Sequence, residues 1–87
     1  MTIATRIELD VSALAPPEPL DRALDALAVL NRGEYLAFLH YREPFPLYQT
    51  AAEGGFRHRV LERDDGKFEI RFWYADDDAV TAEFESL

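Results

Sequence analysis

The chain has 87 residues, seventeen acidic and nine basic, for a net charge of −8, and no cysteine. That length fits one domain with one modest core, burying about 60–65% of the unfolded surface. The missing thiols exclude disulfides, thiolate nucleophiles and Cys-based metal sites, and the charge repels phosphate backbones, so no nucleic-acid partner is expected.

Hydrophobic residues make up 48% of the chain, which argues against disorder. "MTIATRIELDV" is too polar for a signal peptide, and no apolar run approaches a membrane span. The expectation is a cytoplasmic protein with no membrane partner. The acidic excess is uneven: residues 1–75 carry −3 and residues 76–87 carry −5. The division expected is a domain over 1–75 and an acidic tail over 76–87.

"RIELDV" alternates with period two, placing Ile7, Leu9 and Val11 inward and Arg6, Glu8 and Asp10 outward, as in a half-buried strand. Pro16, Pro17 and Pro19 then crowd a helix start. Leu20, Leu24 and Leu27, with Ala23, Ala28 and Leu30, form the apolar stripe of that helix. Asn31-Arg32-Gly33 ends it, with Gly33 suited to the left-handed C′ position. "EYLAFLH" reads as an interior strand buried on both faces.

"YREPFPLY" is a loop, because Pro44 and Pro46 forbid a central strand, and Pro46 fits the first turn of a helix over "LYQTAAE". Gly54-Gly55 stops that helix. "FRHRVLE" and "KFEIRFWY" flank "RDDG", a hairpin signal. Phe56, His58 and Val60 are expected inward, with Phe68, Ile70, Phe72 and Tyr74. This parity demands an odd loop, which Asp64-Asp65-Gly66 supplies with Gly66 left-handed. The pairs Val60–Ile70, Arg59–Arg71 and Arg57–Trp73 follow.

The order β-α-β-α-β-β implies an α/β two-layer sandwich. A four-stranded mixed sheet carries two helices on one face, with the first two strands parallel. The outward face of the hairpin carries Arg57, Arg59, Arg71 and Trp73, which are candidates for a protein interface, with Arg57 able to stack on Trp73. In the tail, Val80, Phe84 and Leu87 share a helical face that Asp76 to Asp78 can cap. The same letters also permit a strand. Either way, the tail complements the outer sheet face in charge and apolarity, and is expected to cover it on its own chain or a neighbour's. That gives a route to a homo-oligomer, through the outer face or the tail.

Residues 7 to 74 resemble the TusA/SirA sulfur-carrier superfamily. The resemblance is carried by "LDVSALAPPEP" running from strand into helix, "GEYLAFL" after it, and "REPFPLY…GGF" around the second helix. It is closest to a bacterial sub-family, a domain of unknown function often linked with hemerythrin-like domains and lacking the carrier cysteine. Sulfur carriers of this kind open the first helix with Cys-Pro-x-Pro. Here Pro17-Glu18-Pro19 matches Pro-x-Pro, and Pro16 holds the place of the cysteine. Persulfide relay is therefore excluded. Binding of an anion at this helix start is disfavoured too, since three prolines remove N–H donors and Glu18 adds negative charge.

The resemblance implies a non-catalytic binding or adaptor domain with no cofactor. Its partner is expected to be a protein, of hemerythrin-like or redox type. The candidate ligand- or partner-binding residues are His40, Tyr41, Arg42, Glu43, Phe45 and Tyr48, on the loop that resembles the sub-family's most recognisable segment. The same loop also reads as a connection pinned to the core by Phe45 and Leu47. The alternative function is a small-ligand or metal-dependent activity at His40, Arg42 and Glu43, in which His40 with Glu43 transfers protons. As metal ligands, His40 and His58 are weak candidates.

Overall fold

The computed structural model describes residues 4–85. Strand β1 (Thr5–Asp10) leads to helix α1 (Glu18–Ala28), strand β2 (Glu34–His40), helix α2 (Phe45–Glu53), strands β3 (Phe56–Glu62) and β4 (Phe68–Tyr74), and helix α3 (Asp78–Glu85). The sheet order is β1-β2-β4-β3. β1 runs parallel to β2, while β4 runs antiparallel to both β2 and β3. This is the mixed four-stranded α/β sheet expected from the sequence.

The hairpin register follows from parity. Val60 faces Ile70, Arg59 faces Arg71 and Arg57 faces Trp73. Arg63 N donates to Lys67 O at 3.0 Å, closing a loop of Asp64, Asp65 and Gly66. Gly66 sits at φ +84°, where a side chain would be strained.

One sheet face and the two helices α1 and α2 enclose the main core: Ala23, Leu27, Leu47, Ala51, Leu36, Phe38, Ile70 and Phe72, with Val11 and Leu30. The other face holds a second cluster of Tyr35, Ala37 and Trp73 under Val80 and Phe84 of α3, with Ala4 beside them. The tail is thus a helix, and it covers the outer face of its own sheet. Asp77 starts it, accepting from Val80 N through Oδ1 at 3.3 Å and from Gly33 N through Oδ2 at 2.6 Å. Asp76 ion-pairs with Arg32 at 2.8 Å. Leu87, expected on the α3 stripe, lies outside the described residues. Among the described residues no helix is long and apolar enough to cross a membrane.

Several expected positions shift. Ile7 and Val60 are each 36% exposed, and His58 is exposed too. The reason is topological: β1 and β3 are edge strands, and the helices cover the centre of the sheet. On α1, Ala23 and Leu27 are buried, but Leu20 and Leu24 are only half-buried and Ala28 is exposed. The helix also ends at Ala28, capped at Val29, so Gly33 is not its C′ residue. Gly33 does have a positive φ of 87°, in the turn that enters β2.

Candidate functional site

β1 and β2 are parallel, so their carboxyl ends lie at the same edge of the sheet, the position where α/β sheets commonly hold ligands. The start of α1 follows β1 there, and the β2–α2 loop follows β2. Between them lies a cavity of about 300 Å³. It is lined by Pro16, Pro17, Pro19, Pro44 and Pro46, with Leu20, Leu47, His40, Arg42 and Glu43. All five prolines of the chain therefore wall one hollow. The two segments that stood out separately in the sequence converge here.

The walls follow from local structure. α1 begins at Glu18 with Pro17 as its cap residue and no side-chain cap bond. α2 begins at Phe45 with Pro46 in its first turn, two residues earlier than the sequence reading. Proline fixes φ near −65° and has no N–H, so each wall is rigid, apolar and without a main-chain donor at those positions. Leu47 is fully buried and anchors the loop to the core, whereas Phe45 is 66% exposed. Of the two residues expected to pin the loop, only Leu47 does so.

The polar lining residues, His40, Arg42 and Glu43, all come from the end of β2 and the loop after it. His40 Nδ1 accepts from the main-chain N–H of Arg42 at 3.2 Å. That bond puts the proton of the neutral ring on Nε2. Burial, and then the Arg42 charge, push the His40 pKa below its ordinary 6.5. Glu43 Oε1 accepts from the Tyr48 hydroxyl at 2.8 Å. Burial, then this bond, push the Tyr48 pKa upward. Tyr48 in turn stacks on His58, with centroids 4.1 Å apart and planes 3° apart. Burial lowers the His58 pKa, and Glu43 partly offsets this. His40 and Glu43 are thus each engaged separately rather than with one another. Among the described residues there is no cluster of three or more His, Asp or Glu side chains able to hold a metal.

The remaining candidates fall elsewhere. Tyr41 is 55% exposed, outside the cavity, with Lys67 Nζ 5.5 Å from its ring centre. Trp73 is buried by its own α3, T-stacked on Phe84 at 4.8 Å, and its Nε1 donates to Thr81 Oγ1 at 2.8 Å. Arg57, expected to stack on Trp73, ion-pairs with Glu85 at 3.0 Å. Arg71 donates to Glu69 at 2.7 Å.

Glu69 itself escaped the sequence reading. It is buried at 5% exposure and accepts from Arg6 at 2.9 and 3.1 Å, from Arg63 at 3.0 Å, and from Arg71. The available signal was an outward-facing acid on a central strand, on the same face as several arginines.

A family model described as an uncharacterized conserved protein (DUF2249) matches residues 8–74. The chain belongs to the DUF2249 family. Helix α3 lies beyond the DUF2249 match. Among solved structures, the chain is similar to the SirA-like protein of Desulfitobacterium hafniense. The identity is 26% and the TM-score 0.65, over 75% of this chain and 92% of that one. The fold is therefore SirA-like, as the resemblance implied. No curated protein matches the chain.

Proposed function

We propose that this DUF2249 chain is a non-catalytic binding or adaptor module that works through its proline-walled cavity. One observation carries this reading. Pro16, in the place of the carrier cysteine, lines the cavity, so the position that would carry sulfur has no thiol. What replaces the nucleophile is a rigid apolar concavity of about 300 Å³, at the lower end of the range for small-ligand sites. The rival reading, a proton-transfer or metal-dependent activity at His40, Arg42 and Glu43, needs His40 and Glu43 to act together. Their separate hydrogen bonds to Arg42 N–H and Tyr48 weigh against it.

A fragment screen by methyl-detected NMR on the full chain tests the proposal. Shifts concentrated on Leu20 and Leu47, with no turnover of any fragment, are expected. Shifts confined to other surfaces, or chemical conversion of a fragment, would overturn it.

A further inference from the structure

The chemistry of the cavity narrows its ligand. Most of its lining is donor-poor, being five prolines and two leucines. The donors, His40 and Arg42, come from the end of β2 and the loop after it. Six of the nine basic side chains form ion pairs, as expected where acids outnumber bases almost two to one. Arg42 is not among them: its guanidinium has no ion-pair or hydrogen-bond partner among the described residues, although Glu43 is its neighbour in sequence. The cause is local, because the Tyr48 hydroxyl, braced on His58, holds Glu43. Beside Arg42, the neutral His40 ring presents Nε2–H, since Nδ1 is already accepting. An unneutralised guanidinium fork and a neutral N–H donor therefore share the rim of an apolar cavity.

A guanidinium matches the two oxygens of a carboxylate, in a bond stronger than one to a neutral acceptor. Glu43 on the same rim sets an upper limit on ligand charge. One negative charge is offset by Arg42, but a second would face the Glu43 carboxylate uncompensated. We propose that the cavity binds a small monocarboxylate, with its compact apolar body against the prolines and its carboxylate on Arg42 and His40. This rests on the cavity being the binding site, and it adds the class of ligand.

Three probes of one shape test it on the full chain: cyclohexanecarboxylate, its neutral amide, and cyclohexylphosphonate as a dianion. Titrations are followed by the Leu20 and Leu47 methyl resonances at about pH 9.5, where the phosphonate has lost its second proton. The carboxylate is expected to bind about tenfold more tightly than the amide, because its hydrogen bonds are charge-assisted. Arg42→Gln, an exposed change whose fold is checked by its amide spectrum, is expected to erase that difference while the amide still binds. Equal affinity for carboxylate and amide would overturn the ligand class but leave the cavity as a site for neutral molecules. Tighter binding of the phosphonate would overturn the limit to one charge. If none of the three probes moves either leucine, both the ligand class and the cavity as a binding site fail.

Discussion

Arg59 reaches from β3 to the last turn of α3 and donates to the main-chain carbonyl of Phe84 at 2.6 Å. Carbonyls in the last turn of a helix lack the i+4 partner, and a cation there complements the negative end of the helix dipole. The same bond draws Arg59 away from Arg71, which it faces across the hairpin and which Glu69 holds. Like charges directly opposed across a hairpin are destabilising, and here the opposition is relieved by two acceptors, one of them supplied by the tail. We expect Arg59→Met to cost about 1 kcal/mol and to raise amide exchange in α3 before the rest of the chain. Removing residues 76–87 should shift Trp73 emission to the red, because Phe84 and Thr81 no longer cover it. An unchanged emission maximum would show that α3 does not stay docked.

Acid should weaken the fold over two pH ranges. The Arg6 guanidinium, with Arg71, holds the buried Glu69 carboxyl down from its ordinary 4.5 to about 2. A depressed folded-state pKa means stability that is full above about 4.5 and lost as pH falls towards 2. His40 and His58 are also held below their ordinary 6.5, so the fold prefers them neutral. Their contribution is present above 6.5 and declines first on acidification. Denaturant midpoints measured between pH 8 and pH 2 should therefore fall gently below 6.5 and steeply below 4.5. Glu69→Gln should remove part of the steeper fall, the rest coming from Asp10, which Ser12 and Lys67 also hold down to about 2, and should cost about 2–3 kcal/mol at neutral pH. A steep phase undiminished in the variant would place its origin elsewhere.

Core substitutions should rank by burial rather than by side-chain size alone. Phe72 is fully buried between α2 and the sheet centre, and Leu27 is 3% exposed, while Leu24 is half-buried on the rim of α1. Phe72→Ala and Leu27→Ala should each cost about 2–5 kcal/mol in chemical denaturation, and Leu24→Ala clearly less. Equal costs for Leu24 and Leu27 would contradict this packing.

The elements were legible in the sequence wherever one physical constraint acted alone. β2 and β3 begin and end where the pattern places them, and the hairpin register follows from side-chain parity, because a one-residue slip would turn every inward group outward. What local pattern does not encode is lateral position in the sheet. Nothing in "RIELDV" or "FRHRVLE" says edge, so Ile7, His58 and Val60 were expected inside. The site was half legible for the same reason. The prolines at 16–19 and the loop at 40–46 each drew notice, but their meeting depends on β1 and β2 being parallel neighbours. Arg63 and Arg71 lie near Glu69 in sequence, but Arg6 on β1 is 63 residues away, a distance that no short window spans.

The last prediction separates what the β2–α2 loop does for the fold from what it offers a ligand or partner. Leu47 and Phe45 are two residues apart, yet they have opposite fates. Leu47 packs in the main core and is fully buried; Phe45 is 66% exposed, with an edge contact to Tyr48 at 5.8 Å. An aromatic ring left in water beside an apolar cavity contributes little to folding, but it offers contact area at low entropic cost. Phe45→Ala should therefore change stability by less than about 0.5 kcal/mol, as surface substitutions do, whereas Leu47→Ala should cost about 2–5 kcal/mol. With any ligand or partner that moves the Leu20 and Leu47 methyls, Phe45→Ala should weaken binding at unchanged thermal midpoint. If Phe45→Ala instead lowers the midpoint as much as Leu47→Ala does, the ring is a pin of the fold, and the loop is held from both sides.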